Sequence, residues 1–179
     1  SIRIMAHLKI DTGMGRMGIR YEDLNNIMIE LSQRTHIKVE GIYSHFSTAE
    51  EKDTEYRDWQ LQRFKEVVVR AEKILPQVEY FHMANSAAVL TLPEAHFNMV
   101  RPGISLYGVT PLGVSHDYLL PVMRMKAPVT IIKEYNRGES IGYNRKYITE
   151  HNETVAIIQA GYADGIPREL SNKGEVEIE

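Results

Sequence analysis

Arg101 follows an apolar run, Phe97, Met99 and Val100, and is followed at once by Pro102 and Gly103. A glycine beside an arginine at a strand tip lets backbone N–H groups approach an anion closely. The same segment also reads as an ordinary strand-to-loop junction with a solvated arginine. Three earlier apolar runs end alike in polar chemistry: Lys9, Asp11 and Arg16; then His45; then Asn85 and Ser86. Arg16, after Gly13 and Gly15, could clamp a carboxylate or a phenolate through two hydrogen bonds, or simply be a surface arginine. Lys9 ends an apolar strand, where an unpaired ammonium is costly, so it needs a partner, a modification or a shifted pKa. A Schiff-base lysine and a structural ion pair both meet that need.

His45 and His82, taken singly, read as packed or hydrogen-bonded histidines. Together with Arg101 they could form a polar layer above the core. Ser86 is the expected N-cap of a short helix, a phosphate ligand, or both. Tyr143 follows Gly142, which would expose its hydroxyl, and it reads equally as a surface tyrosine of a β-domain. The loop Gly161–Arg168, with Tyr162 and Asp164, gathers more turn formers and charge than a simple turn needs, which favours a site or an interface. No metal site is expected: the seven histidines are scattered, with no HExxH pair and no cysteine. The GMGRMG run does not fit a dinucleotide fingerprint.

The elements that must position these residues follow from periodicity. Ile2–Ile10, Val39–Tyr43, Val78–Met83 and Phe97–Val100 read as strands. Between them, Tyr21–Arg34 carries Leu24, Ile27, Met28 and Leu31 on one face, and Thr54–Ile74 carries Phe64, Val67, Val68, Ala71 and Leu75. A short helix, Ala87–Leu92, precedes the fourth strand. Strands alternating with helices imply parallel pairing through right-handed crossovers, hence an α/β architecture. In such folds the ligand site lies at the strand C-termini, in a closed barrel as in an open sheet. After Gly108 the pattern changes. Thr110–Leu120 is loop-like, and Ala127–Tyr135, Glu139–Tyr143 and Thr154–Ala160 are extended, so a second, β-rich domain is expected with the boundary between Gly108 and Pro121.

Bulk properties narrow the classes. The 179 residues are 43% hydrophobic, and 21 Lys+Arg against 24 Asp+Glu leave a net charge of −3. No basic stripe marks a nucleic-acid surface. No apolar stretch approaches the ~20 residues of a membrane span. The lack of cysteine excludes disulfides and suits a reducing cytoplasm. Ser1 opens on strand-like sequence without an initiator methionine, and GEVEIE reads as a strand begun and unfinished, so a piece of a longer polypeptide is expected.

Six motifs in this order and spacing, HLKIDTGMGRMG, GIYSHFSTAE, HMANSAAVL, FNMVRPGISLYG, ESIGYN and AGYADGIPR, resemble the fold-type III alanine racemases, which are pyridoxal-phosphate enzymes. The resemblance implies α/β then β: the C-terminal half of a (β/α)8 TIM-type barrel over residues 1–115, then part of a β-domain over 121–179. It also implies a cytoplasmic, head-to-tail homodimer with shared active sites, and two-base racemisation of alanine, supplying D-alanine for peptidoglycan. Serine racemase of the same family and a non-catalytic pyridoxal-phosphate barrel are the alternatives. Residue by residue, Lys9 matches a lysine that is often carbamylated, and Arg16 the arginine that contacts cofactor phenolate and substrate carboxylate. His45 matches the histidine beside the cofactor ring. Asn85 and Ser86 match the phosphate-binding segment, and Gly103 and Ile104 the amides completing it. Arg101 matches the arginine facing the pyridine nitrogen, supported by His82. Tyr143 matches a catalytic base, and Tyr162 and Asp164 match residues near substrate entry. The family's Schiff-base lysine belongs to a barrel strand outside these motifs, so this chain alone is expected to be inactive.

Overall fold

In the computed structural model, which describes residues 3–113 and 119–178, the chain divides into two units, the first ending at Met123 and the second starting at Arg124. Ile2, the middle of the 110–120 loop and the last residue of GEVEIE lie outside the described residues.

The first unit is built on parallel strands. β1 (Ile4–Asp11) pairs with β3 (Ile37–Tyr43), which pairs with β4 (Tyr80–His82). The two-residue β2 (Ile19–Arg20) adds to the end of β1, giving the order β2-β1-β3-β4. Helices α1 (Leu24–Ser32) and α2 (Glu55–Ile74) make the crossovers. Their apolar stripes supply Leu24, Met28, Phe64, Val67 and Ala71 to a core that also takes Ile10, Val39 and Ile42 from the strands. This is the parallel α/β arrangement that the periodicity predicts.

Two local expectations need correction. Phe97–Val100 is not a regular fourth strand: it forms a single parallel bridge, His82 with Met99, and Phe97 takes a left-handed φ of 49°. The reason is Asn98. Its side-chain amide does what a strand's peptide would do, accepting from Phe81 N–H at 2.8 Å and donating to the Glu79 carbonyl at 2.7 Å. The segment therefore runs beside β4 without a ladder, and Met99 and Val100 stay exposed rather than buried. The second correction concerns helix α3 (Ser86–Thr91). Its N-cap is Asn85, whose Oδ1 accepts from Ala88 N–H at 3.0 Å; Ser86 is the first helical residue and its hydroxyl turns elsewhere.

The second unit is antiparallel. β5 (Val129–Tyr135) pairs with β8 (Glu153–Ile158), and β6 (Ser140–Ile141) with β7 (Tyr147–Ile148). Thr149 is buried and ties the turn together, donating to the Asn136 carbonyl at 2.6 Å and accepting from Glu139 N–H at 3.0 Å. The expected strand Glu139–Tyr143 stops at Ile141, because Gly142 has φ 76° and Tyr143 begins a 3₁₀ turn.

Candidate active site

Parallel register creates one cross-strand rung at the C-terminal side of the sheet. Lys9 lies opposite Tyr43, and Tyr43 opposite His82. The Tyr43 and His82 rings stack at 5.0 Å with planes 3° apart, and Lys9 Nζ sits 6.0 Å from the Tyr43 ring centre. Among the described residues Lys9 forms no ion pair, so the ion-pair reading of Lys9 is not what the fold adopts. Its cation is met by an aromatic face instead.

Arg101 enters above this rung. Its backbone N–H donates to the Ala84 carbonyl at 3.0 Å, which fixes where the side chain starts. The guanidinium then donates to His82 Nδ1 at 2.6 Å, to the Ser44 carbonyl at 2.7 Å and to His45 Nδ1 at 3.2 Å. Its face lies 5.1 Å from the Tyr43 ring centre. All these partners are neutral acceptors, and no carboxylate pairs with Arg101 among the described residues. A half-buried cation held this way keeps its positive charge uncompensated, ready for an electron-rich atom of a ligand. Burial pulls the Arg101 pKa down, and the Tyr43 side opposes that. Burial, and then the Arg101 charge, push His82 down to about 4, and lower His45, where Arg16 and Lys9 add to the effect. Both histidines are therefore neutral bases at neutral pH.

The anion-binding candidate adjoins Arg101 in sequence. Ser86 Oγ, buried, accepts from Gly103 N–H at 2.8 Å and from Ser105 N–H at 3.3 Å. Both its lone pairs are then used, leaving its O–H to donate. Ser105 Oγ is buried with no hydrogen-bond partner. Hydroxyls with donors to spare are a chemistry that fits an anion such as a phosphate monoester. The Gly103 amide meets Ser86 directly in this arrangement.

Arg16 is exposed, at the end of a loop that Asp11 organises: Oδ1 accepts from Gly13 N–H at 2.9 Å, and Oδ2 from Gly15 N–H at 3.0 Å. Burial raises the Asp11 pKa, but the amides of Gly13, Gly15 and Met14 together outweigh it and bring it below its usual value. From outside, Tyr56 donates to the Gly13 carbonyl at 2.8 Å, and a Cβ on Gly13 would come within 2.7 Å of the Tyr56 hydroxyl, so only glycine fits. Thus hydrogen bonds join His45 and His82 to Arg101, and separately Gly103 to Ser86, within the first unit, while Arg16 acts on His45 through its charge. A cleft of about 220 Å³ is lined by Asp11, Gly13 and Gly15 of this loop together with Arg20, and a second of about 430 Å³ by Gly18, Ile19 and Arg20; His45, His82, Arg101 and Ser86 line neither.

In the second unit, Tyr143 is 91% exposed. Asp164 folds back on its own turn, accepting from Gly161 N–H at 2.9 Å, and Arg168 lies over the Tyr162 ring at 4.8 Å. No group of metal-ligating side chains occurs among the described residues. No described helix is long and apolar enough to cross a membrane.

Three positioning residues escape the motif reading. Gln60 on α2 is fully buried and holds the loop after β3, accepting from Ser47 N–H at 3.0 Å and donating to the His45 carbonyl at 3.1 Å. Tyr43 and His7 belong to the rung and its neighbour. A signal for His7 exists in the alternation His7, Lys9, Asp11 against Leu8, Ile10, which puts the polar residues on one face of β1.

Known proteins resemble the chain over nearly its whole length. The description "Alanine racemase, N-terminal domain" matches residues 2–111, and "Alanine racemase, C-terminal domain" matches residues 122–179. The alanine racemase of Citrifermentans bemidjiense is 41% identical over 177 residues, covering 96% of this chain and 47% of its own. Alanine racemase 2 of Caldanaerobacter subterraneus is 44% identical over 178 residues, covering 96% and 45%. Among solved structures, the alanine racemase from E. faecalis superposes with a TM-score of 0.82 at 38% identity, covering 94% of this chain and 46% of that one. The Bartonella henselae enzyme, solved with covalently bound pyridoxal phosphate, does so at 0.73 and 31%, covering 93% and 45%. The chain spans about half the length of the curated relatives it matches. With the N-terminal domain description matched over residues 2–111 and the C-terminal one over residues 122–179, the chain belongs to the alanine racemase family.

Proposed function

We propose that the complete polypeptide carrying this chain racemises alanine with pyridoxal 5'-phosphate, and that this chain supplies the C-terminal half of the barrel and the start of the β-domain. The observation that carries this reading is Arg101, a cation held only by neutral acceptors, two residues before the Gly103 whose N–H binds the Ser86 hydroxyl. When bound, the cofactor supplies an electron sink for the amino acid's α-carbon. The residues of this chain do the rest. Ser86, Asn85, Gly103 and Ile104 hold the phosphate. Arg101 donates to the pyridine nitrogen and so keeps it unprotonated, with His82 behind it. That weakens the sink and disfavours transamination. His45 flanks the ring. Arg16 binds the phenolate oxygen and the substrate carboxylate, and carbamylation of Lys9, which would turn the cation now over the Tyr43 face into an anion, steers it.

Racemisation needs an acid/base group on each face of one carbon. Tyr143 is one of the two, its Oη taking or returning the α-proton in the partner subunit's site of a head-to-tail dimer. Tyr162 and Asp164 line substrate entry. D-alanine made in this way, in the cytoplasm, feeds peptidoglycan.

The test is direct. The complete polypeptide should exchange the α-proton of alanine with solvent and interconvert its enantiomers, and do so faster than with serine. Reductive trapping of the cofactor should label a lysine outside residues 1–179; a label on Lys9 would overturn the assignment.

A further inference from the structure

We infer that His7 is a positioning residue: it accepts the Nε2–H of His82 across the bare backbone of Gly41, and so selects the tautomer of His82 that can receive Arg101. Donors and acceptors place every proton in this row by elimination. Arginine only donates, so His82 Nδ1, at 2.6 Å, must be the acceptor. A neutral imidazole then carries its hydrogen on Nε2. That atom lies 2.7 Å from His7 Nδ1, which must in turn accept. His7 is left with its hydrogen on Nε2, facing Glu40 Oε1 at 3.7 Å.

The backbone is shaped for this reach. His7 lies opposite Gly41 in register, and Gly41 separates it from β4. A Cβ on Gly41 would lie 2.3 Å from His7 Nδ1, so the ring occupies the space a side chain would need. Tyr80 stacks on the other side of His7, 5.9 Å away and 14° from parallel. The groups facing His7 are therefore Glu40 from β3 and Tyr80 and His82 from β4; those facing His82 are Tyr43, His7 and Arg101.

An imidazolium at His7 would set Nδ1–H against the Nε2–H of His82. Switching the His82 tautomer would only move the clash onto Arg101. His7 thus acts on Arg101 at second hand, with His82 between. Only the consequence for a cofactor ring rests on the function proposed above; the hydrogen-bond row does not.

The experiment uses the complete polypeptide without cofactor, near neutral pH, with ¹⁵N-labelled histidine and arginine. Long-range ¹H–¹⁵N correlation should find both His7 and His82 protonated on Nε2 alone. In His7→Phe, the His82 ring should lose its single tautomer and the Arg101 guanidinium protons should exchange about tenfold faster, as loss of support for one charged hydrogen bond implies. His7→Gln, which restores an acceptor, should return both signals to their original values. Gly41→Ala should reproduce the His7→Phe result by displacing the ring, and it decides the matter if His7→Phe fails to fold. An Nδ1–H on His82 in the unaltered protein, or Arg101 exchange unchanged in both variants, would overturn the inference. Expected tautomers in a protein without racemase activity would leave the inference standing and remove the functional reading; the converse result would do the reverse.

Discussion

Arg101 and Tyr143 are the two side chains on which the proposed chemistry most depends, and the protein treats them in opposite ways. Arg101 is tied down at both ends, its backbone to Ala84 and its guanidinium to His82, Ser44 and His45. Those partners are braced in turn by His7, Tyr43 and Gln60. Tyr143 stands 91% exposed on a 3₁₀ turn behind a left-handed glycine, with Asn144 at φ 59° and Arg145 at φ 53° after it. A cation that must stay in one place next to a ring nitrogen profits from a rigid setting. A proton carrier displayed on a turn owes its place to the shape of the backbone, not to side-chain partners. Substitutions around Arg101 should therefore disturb stability as well as function, and substitutions at Tyr143 function alone.

The largest test of this contrast is Tyr143→Phe. Alanine racemisation by the complete polypeptide should fall by about 10² to 10⁴, the usual contribution of a general acid/base group, with no change in melting temperature. A loss of folding instead would show that the hydroxyl is structural and break the comparison.

Acid should strike the first unit selectively. His82 has its pKa depressed from 6.5 to about 4, so between those values the unfolded chain binds a proton that the folded one refuses. Stability is full above about pH 6.5 and falls as the pH drops toward 4, by about 2 kcal/mol once some solvent screening is allowed for. Denaturant melts from pH 7 to 4 should show that slope, and His82→Asn should flatten it. Asp11, whose pKa is also lowered, adds in the same direction. As a depressed carboxylate, it stabilises above its unfolded pKa and loses that contribution as the pH falls through its folded one, at the acid end of the same titration.

Gly41→Ala sharpens the comparison further. The new Cβ must displace the His7 ring, an overpacking that costs about 1–3 kcal/mol, read in chemical denaturation. Gly142→Ala in the second unit meets no atom within 4 Å; its effect is confined to the backbone, which sits at φ 76°.

The smallest expected effect is at Asn98. Asn98→Ala removes the side-chain bonds to Phe81 N–H and the Glu79 carbonyl, costing about 1–2 kcal/mol. Hydrogen exchange should show faster opening of Phe81 N–H, while the amides of β5 and β8 keep their protection.

The amino-acid sequence by itself determined the alternation of strands and helices in the first unit, because buried faces impose periods of 2 and 3.6 that need no partner to be read. It also determined which polar residues end the strands, and the six motifs that carry the family resemblance. Tertiary structure alone decided what those polar residues touch. The bond from His7 to His82 spans 75 positions in the chain and depends on the parallel register and on the missing side chain at Gly41. Asn98 turned a readable apolar run into a side-chain-paired segment, since a side-chain amide can satisfy a strand edge as well as a peptide can. Asn85 took the cap that Ser86 could have filled, and the freed hydroxyl went to the amides of Gly103 and Ser105. Local pattern tells which groups must be satisfied; only the folded chain brings within 3 Å the one that satisfies each.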